Sequence, residues 1–261
     1  MVLKSLKCYP KLTVMKHSLN HRATKFYVTA PLPCPYLPGK VERRLVAELK
    51  GRDEIKLHDT LSRVGFRRSH GIVYAPVCQE CSACLAVRTV VHEFKPSVSQ
   101  RRVLKTNKDV IVNEVTARAT HEQYVLFSKY QGSRHTGGDM ATMDYYDYQA
   151  LIEETPVNTF VLEYRRFGNL IGACLVDAMA DGLSAVYSFF DPADKRRSFG
   201  TQIVLTLVDI AMQRSLPYVY LGYRVSGSQK MAYKDRFQPL EYYDGQGWKL
   251  INLLRGSSDL A

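Results

Sequence analysis

The sequence predicts an α+β fold. Three successive strand-like segments are separated by glycine-containing turns that are typical of antiparallel hairpins. These strands occupy 159–165, 170–178 and 183–190. A basic segment at 195–200 then opens a long amphipathic helix that extends to about Arg214, and Pro217 precedes a buried strand. A strand meander followed by a long helix and a further strand indicates packed layers of sheet and helix.

The remaining elements follow from hydrophobic spacing and capping residues. In chain order they are a short strand that breaks in the proline-rich segment 25–36, helices at 41–49 and 60–64, strands at 71–74 and 85–91, a helix that begins after Ser97, a strand at 109–115, and helices at 121–130 and 144–154. We expect a disordered extension at 1-24, an N-terminal basic domain at 25-106 and a C-terminal domain at 107-261. No flexible linker separates the two halves, so we expect them to pack tightly.

Charge is distributed unevenly along the 261 residues. The net charge is +11, and residues 1–108 carry 21 lysines and arginines against 7 acidic residues, whereas residues 109–261 carry 15 against 18. A basic half is typical of a nucleic-acid or acidic-substrate surface, although a generally basic protein is the alternative. No segment has the roughly 18 apolar residues of a membrane span, and the N-terminus lacks a signal-peptide core, so we expect no membrane association.

Six cysteines suggest a reducing cytoplasm rather than a small secreted disulfide framework. Cys78, Cys81 and Cys84 form a CxxCxxC motif whose thiolates are close enough to reach one metal, and Cys34 is a candidate fourth ligand. The sequence therefore leaves open a zinc ion or an iron–sulfur cluster. The alternative is that these cysteines are small buried apolar residues.

The stretch 218–237 combines the features of a binding site. It begins as a buried strand, Gly222 permits close approach to its backbone, and a polar loop leads to Lys230 and Lys234. Lysines suit phosphates, and the tyrosines of this stretch suit bases or riboses, so the pattern favours RNA. A core strand with a solvated basic loop is the alternative.

Five motifs resemble one family in order along the chain: CPYLPG, LSAVYSFFDP, YLGY, KMAYK and FQPLE. From about His21 to Trp248 the chain resembles the bacterial aminoacyl-tRNA–protein transferases, in particular the aspartate/glutamate leucyltransferase branch, which is related to the arginyl-tRNA–protein transferases. The resemblance implies transfer of leucine from aminoacyl-tRNA to N-terminal Asp or Glu of proteins, which marks them for N-degron degradation. Arginine as donor is the alternative. The family usually has an aromatic residue where this chain has Arg224.

The order of elements at 159–225 is also that of the GNAT acyltransferase fold, and the resemblance implies a duplicated GNAT architecture with a divergent first copy. A coenzyme A-dependent member needs a small residue where this chain has Gln202, which would crowd a pyrophosphate. Two rival functions stay open despite this departure. One is a GNAT N-acetyltransferase, and the other is a non-catalytic RNA-binding protein. Eukaryotic relatives carry four cysteines associated with a metal or cluster, and this chain matches them in part.

Aminoacyl transfer needs positioning, a proton acceptor and stabilisation of an oxyanion, but no cofactor beyond the charged tRNA. The candidate catalytic residues at one rim of the sheet are Tyr187, Asp191, Tyr220, Tyr223 and Lys234. The candidates for binding an acidic acceptor are Arg88, Arg134 and His135. The candidates for binding tRNA are Arg101, Arg102, Lys195, Arg196, Arg197 and Lys230. The alternatives are a turn cap for Asp191, core packing for Tyr187 and Tyr220, and structural ion pairs for Arg88 and Arg134.

Overall fold

The computed structural model describes residues 24–51 and 53–251. Fourteen strands are described: β1 (Phe26–Val28), β2 (Leu32–Pro33), β3 (Val41–Glu42), β4 (Arg44–Glu48), β5 (Arg67–Ser69), β6 (Ile72–Pro76), β7 (Cys84–Val90), β8 (Ile111–Thr116), β9 (Thr159–Arg166), β10 (Asn169–Met179), β11 (Gly182–Phe190), β12 (Tyr218–Val225), β13 (Leu240–Tyr243) and β14 (Trp248–Leu250). Five α-helices accompany them: α1 (Glu54–Arg63), α2 (Val98–Thr106), α3 (His121–Arg134), α4 (Tyr145–Glu153) and α5 (Phe199–Gln213). The predicted extension at 1-24 lies outside the described residues except for Thr24.

An eight-stranded sheet organises the molecule, in the order β14-β13-β7-β12-β11-β10-β9-β8. All neighbours are antiparallel except β11 and β12, which are parallel because α5 connects them. The predicted α+β class is confirmed. Strand β7 lies between β12 and β13, so the large sheet takes a central strand from the first half of the chain.

The two faces of the large sheet carry different layers, because alternate strand residues point in opposite directions. Leu162 and Val176 pack on one face against α5. Val161 and Leu175 pack on the other face, where α3 and α4 cover them. Beside those helices, a smaller sheet in the order β1-β4-β6-β5 covers β7 and β12 on the same face.

A buried ionic cluster joins the small sheet to the large one. Arg68 of β5 donates two hydrogen bonds, at 2.7 and 2.8 Å, to the carboxylate of Asp177 on β10. His58 of α1 lies 3.5 Å from the same carboxylate, and all three side chains are buried. Burial lowers the pKa of His58, although the Asp177 charge opposes this shift. Because an unpaired charge would be costly here, the cluster fixes β5 against the large sheet.

Two predicted elements differ from the structure. Residues 41–49 form strands β3 and β4 rather than a helix, since Ala47 and Leu49 are buried on either side of exposed Glu48, a period-two pattern. Helix α1 begins at Glu54, after Asp53, and not near Thr60. Ser97 does cap α2, with the reciprocal hydrogen bonds of a capping box. Among the described helices, none has the length and apolar character needed to cross a bilayer.

Candidate active site

The large sheet opens where its two parallel strands separate. Strands β11 and β12 pair over three residues only, from Gly182 opposite Tyr218 to Ser184 opposite Tyr220. Beyond this point the strands diverge. Between them lies a cleft of about 690 Å³, bordered also by the beginning of α5, the end of α3 and the 230–234 segment. Such a gap exposes strand edges and helix N-terminal amides to a ligand.

The cleft has an apolar floor and a basic rim. Its buried floor includes Phe199, Ile203 and Val204 of α5 and Leu221 of β12. The exposed cations at the rim are Arg134, Lys195 and Lys230. This combination suits a ligand with an apolar group next to anionic groups.

Lys234 lies in the cleft wall and is 5% exposed. A short 3₁₀ helix, Ala232–Arg236, carries it, and its Nζ donates to the backbone oxygen of Tyr223 at 2.5 Å. Burial lowers its pKa to about 7, and the charge of Arg67 lowers it further than burial alone would. An amine with this pKa is partly neutral at pH 7 and can accept a proton.

Three other predicted catalytic residues line the cleft, Tyr187, Asp191 and Tyr223, and the side chains of the first two are engaged as follows. The Tyr187 hydroxyl accepts from Gln131 Nε2 at 2.6 Å, and burial raises its pKa. Asp191 pairs with Lys129 at 2.8 Å and accepts from the backbone N–H of Ala193 at 2.9 Å. Burial opposes these bonds, yet they hold the pKa of Asp191 below its ordinary value. The turn-cap alternative therefore describes the contacts of Asp191.

The two central tyrosines take structural positions. The Tyr223 hydroxyl lies 3.0 Å from the backbone oxygens of both Gly65 and Tyr74, so its proton is committed to the small sheet. Tyr220 does not line the cleft, and its hydroxyl donates to Asp181 at 3.1 Å. Burial raises the pKa of each tyrosine, which keeps both hydroxyls protonated. Neither hydroxyl is free to act in the cleft.

Arg88 also lies outside the cleft. Its Nε is 2.7 Å from Glu241, and its guanidinium carbon lies 3.4 Å from the centre of the Tyr218 ring and 4.2 Å from that of Trp248. Arg88 is 7% exposed. Its charge is paired and its guanidinium lies against two aromatic rings, so its contacts are those of the structural ion pair.

Arg134 and His135 remain at the rim, as the predicted acceptor site requires. Arg134 is exposed at the end of α3, with its guanidinium carbon 5.9 Å from the Phe190 ring. Burial lowers the pKa of His135, and the charges of Lys230 and Arg134 lower it further. His135 is therefore neutral at pH 7, and the cationic character of the rim comes from its neighbours.

The predicted tRNA-binding residues fall into two groups. Lys195, Arg196 and Lys230 are exposed at or beside the cleft, and Arg101 and Arg102 are exposed on α2. Arg197 differs, because its guanidinium pairs with Asp109 at 2.9 Å and with Asp194 at 3.2 Å. These contacts anchor the segment that precedes α5, and they correct the assignment of Arg197 to the RNA surface.

Cys34, Cys78, Cys81 and Cys84 line one small cavity of about 70 Å³ beside the cleft. Burial raises the pKa of the Cys84 thiol to about 11, and the other three cysteines raise it further than burial alone would. Within the described residues, no three His, Cys, Asp or Glu side chains are arranged to hold a metal ion. The four cysteines come together as predicted, but their geometry does not fit a preformed zinc or iron–sulfur site.

The sequence analysis did not identify Arg67, a charged residue that lines the cleft. It lies on β5, and its guanidinium contacts the point where β11 and β12 separate. The only signal in the sequence was the arginine pair at 67–68, which is also compatible with a solvated basic strand.

Comparison with known families gives two matches that follow one another along the chain. Residues 32–102 match the family model described as the N terminus of arginine-tRNA-protein transferase. Residues 122–244 match the model described as the C terminus of the same transferase. The two matches together span most of the chain, and the cleft takes residues from both.

Solved structures show weaker similarity. FemX aligns with a TM-score of 0.46 and 6% identity over 75% of this chain and 68% of its own. L-PGS from Bacillus licheniformis aligns with a TM-score of 0.44 and 9% identity over 68% of this chain and 52% of its own.

Curated relatives are far more similar in sequence. The chain is 52% identical to the aspartate/glutamate leucyltransferase of Paramagnetospirillum magneticum over 236 residues, which cover 90% of this chain and 97% of the relative. It is 49% identical to the protein of the same name from Rhodospirillum rubrum, over 85% of this chain and 92% of the relative. The chain therefore belongs to the arginine-tRNA-protein transferase family, within which its relatives are aspartate/glutamate leucyltransferases.

Proposed function

We propose that the protein transfers leucine from leucyl-tRNA to the N-terminal amine of proteins that begin with Asp or Glu. The observation that carries this proposal is about 50% identity, over most of both chains, to proteins named aspartate/glutamate leucyltransferase. The cleft supports it by offering an apolar floor for a leucyl side chain and a basic rim for phosphates. Charged tRNA is a cytoplasmic donor, so the cytoplasm is the proposed site of action.

The donor's aminoacyl group enters the gap between β11 and β12. Its side chain packs against Ile203, Val204 and Leu221, which carry no charge that would pair with an arginyl group. The acidic residues of the cleft lining are Asp191 and Asp194, and each has a cationic partner within the described residues. These features favour leucine over arginine as the donor.

Lys195, Arg196 and Lys230 are placed to bind the tRNA backbone beside the cleft. They are exposed and lie at or beside the cleft rim near the first turn of α5, whose residues Gly200 and Thr201 line the same opening. Arg101 and Arg102 extend the basic surface along α2. Because Arg197 is paired, it supports this surface without contributing a free charge.

The acceptor enters from the side of Arg134. An exposed guanidinium can bind the side-chain carboxylate of an N-terminal Asp or Glu through two hydrogen bonds. His135, being neutral, offers a hydrogen bond without a second charge. The acceptor's α-ammonium has an ordinary pKa of about 7.7–8.0, close enough to that of Lys234 for proton transfer.

In the reaction, Lys234 accepts one proton from the ammonium. The freed nitrogen attacks the carbonyl carbon of the leucyl ester, and the carbonyl electrons move to oxygen. When the carbon–ribose oxygen bond breaks, the second proton of the attacking nitrogen goes to the ribose oxygen. The products are an amide and uncharged tRNA, and Lys234 returns its proton to solvent.

The architecture that supports this chemistry is a GNAT-like core at 159–225. This core consists of the three antiparallel strands β9, β10 and β11, followed by α5 and β12. Strand β12 is parallel to β11 and pairs with it over three residues only. We retain a duplicated architecture as a proposal for the first half, where the described residues form a four-stranded sheet with one helix. Gln202 lines a groove outside the cleft, so its side chain does not crowd a pyrophosphate at the beginning of α5, contrary to the expectation from the sequence.

A transfer assay tests the proposal directly. Labelled leucyl-tRNA and arginyl-tRNA are offered with peptides that begin with Asp, Glu, Gln, Arg or Lys, and acetyl-CoA serves as a rival donor. We expect leucine transfer to the Asp and Glu peptides only. Lys234→Met abolishes the single-turnover rate, whereas Lys56→Met, an exposed lysine on α1, leaves it unchanged. Acetyl transfer, or tRNA binding without any transfer, would overturn the assignment.

A further inference from the structure

The two strands of the cleft are bridged by a side chain from the small sheet at the point where they separate. Arg67 of β5 donates from Nη1 to Ser184 Oγ at 3.0 Å and from Nη2 to the backbone oxygen of Ala185 at 2.5 Å. Ala185 is the first residue of β11 beyond its paired segment with β12. Arg67 therefore satisfies an oxygen that the separation of the strands would otherwise expose.

The same guanidinium also contacts the opposite wall. A Cβ atom at Gly222 of β12 would lie 3.3 Å from Arg67 Nε and 3.5 Å from its guanidinium carbon. Gly222 has φ +79°, a backbone conformation that side chains rarely adopt. The backbone of β12 can lie flat against the guanidinium because this position is glycine.

Bridging the strands uses only part of the guanidinium. An arginine has five N–H groups. Within the described part of the chain, Ser184 and Ala185 account for two of those of Arg67. The side chain is half-buried and lines the cleft. The next residue along the chain, Arg68, is instead fully engaged with buried Asp177.

Arg67 lies beside the proposed base. Lys234 donates to the backbone oxygen of Tyr223, the residue that follows Gly222. A permanent cation and a buried amine therefore meet at adjacent residues of β12, within one cleft. That is the arrangement that an acyl transfer needs, with one group to bind a developing negative charge and another to take a proton.

We propose that Arg67 is a catalytic residue whose free N–H groups donate to the carbonyl oxygen of the aminoacyl ester as that oxygen becomes an oxyanion. The inference rests on the proposed function, since it requires an ester donor in this cleft. When the nitrogen attacks, the carbonyl electrons move to the oxygen that Arg67 binds, and they re-form the double bond as the ribose oxygen leaves. Arg67 keeps its own protons throughout.

A second effect follows from the same position. The charge of Arg67 adds to burial in lowering the pKa of Lys234. Removing that charge should raise the pKa of Lys234. The acid limb of the rate profile, where the rate falls with decreasing pH as Lys234 becomes protonated, should then shift to higher pH. This shift reports the electrostatic contact between Arg67 and Lys234, and the rate itself reports the binding of the oxyanion.

The test uses the full chain with Arg67→Lys and Arg67→Gln, and Arg63→Gln as the matched control. Arg63 is an exposed arginine that pairs with Asp181 at 3.0 Å and does not line the cleft. Urea unfolding establishes the folded fraction, and filter binding gives the affinity for leucyl-tRNA. Single-turnover rates are then measured from pH 5.5 to 9.5 on the folded protein.

For Arg67→Gln we expect a fall in the single-turnover rate of about 100- to 1,000-fold, the range for loss of one oxyanion donor. The tRNA affinity should change less than about threefold, and the acid limb should move to higher pH. Arg67→Lys should recover part of the rate, because it keeps a cation but loses the planar fork. Arg63→Gln should match the wild type in rate and in pH profile.

An Arg67→Gln rate within about fivefold of wild type on folded protein would overturn the inference, and so would an Arg67→Lys rate no higher than that of Arg67→Gln. Failure of the proposed function gives a different result, because the wild-type protein would then transfer no leucine. If Lys234→Met kept its activity, only the choice of base would be wrong, and the Arg67 comparison would still decide the role of that side chain.

Discussion

Arg224 and Asp235 form a two-point ion pair, with Nε 2.7 Å from one carboxylate oxygen and Nη2 3.2 Å from the other. The pair ties β12 to the 3₁₀ helix that carries Lys234. Position 224 is also where the chain departs from the aromatic residue that its resemblance implies. Arg224 is therefore paired with Asp235, and this ion pair holds the helix of the proposed base, Lys234, in place.

We expect Asp235→Asn to weaken that tie and to move Lys234 away from the backbone oxygen of Tyr223. The rate should fall about tenfold, while the free energy of unfolding falls by less than about 1 kcal/mol, as for other partly exposed pairs. Single-turnover kinetics and urea unfolding check both. The control is Asp244→Asn, which removes the charge of a turn residue that pairs with Lys249 and lies outside the cleft. Equal rates for the two variants would contradict the positioning role.

Lys234 should make the stability of the protein depend on pH. Its pKa is about 7 when folded and close to 10.5 in an unfolded chain, so between these values the unfolded state binds more protons. The free energy of unfolding should therefore rise with pH across that window. Lys234→Met should be more stable than wild type near pH 6, by more than about 1 kcal/mol, and lose this advantage by pH 10. Urea unfolding at three pH values tests it, and a pH-independent difference would contradict it.

Arg88→Ala and Arg134→Ala should affect different properties. Loss of Arg88 leaves Glu241 without its partner and removes the contacts with two aromatic rings, so the free energy of unfolding should fall by about 3 kcal/mol. Loss of Arg134 should leave stability unchanged and lower kcat/KM for Asp- and Glu-starting peptides about tenfold. Peptide competition with a Gln-starting control separates the two. An Arg134→Ala protein that still discriminates against Gln would remove Arg134 from the acceptor site.

Binding of tRNA should be steeply salt dependent, because each phosphate contact releases counterions. The double variant Lys195→Gln, Arg196→Gln should reduce the slope of log affinity against log salt by about 1.5. Filter binding between 50 and 300 mM salt provides the measurement, and Lys56→Gln on α1 is the matched control. An unchanged slope in the double variant would place the RNA elsewhere on the molecule.

Cys84 should react slowly with iodoacetamide at pH 8, since burial holds its thiol pKa at about 11 and the thiolate is the reactive form. Mass spectrometry of timed samples follows the reaction, alongside metal analysis of the purified protein. One zinc or iron per chain, lost in Cys81→Ser together with stability, would show that the cysteine cavity rearranges around a metal. Rapid alkylation of metal-free protein would contradict the raised pKa of this half-buried thiol.

The sequence predicted the elements that local signals specify. The meander at 159–190 and helix α5 are marked by hairpin turns and amphipathic spacing, and Gly222 does permit a close backbone approach. Segment 41–49 was misassigned because its strand character depends on pairing with β1 and β6, which no local pattern reveals. The burial of a few alternate residues determines whether such a segment is a strand, and burial depends on the tertiary structure.

The sequence predicted several residues that line the candidate cleft, but it did not predict their contacts. Lys234, Arg134 and Lys195 were named from the sequence, and all three line the cleft. Arg88 was recognised as a charge that needs a partner, but its partners Glu241 and Trp248 come from the far end of the chain. Arg67 was not predicted because its contacts with Ser184 and Ala185 depend on the tertiary structure, in which β5 lies beside the point where β11 and β12 separate.

The position of β7 has a consequence for how the enzyme is made. Val87 lies opposite Gly222 on one side and Tyr242 on the other, both more than 130 residues further along the chain. During synthesis this apolar strand emerges from the ribosome long before either neighbour exists, and contacts between such distant residues form slowly. In a nascent or truncated chain that ends before residue 218, β7 has neither of these neighbours and its edges are unpaired. Arg67 then has no gap between β11 and β12 to bridge. Catalytic competence therefore requires that β12 and β13 have been synthesised and paired with β7.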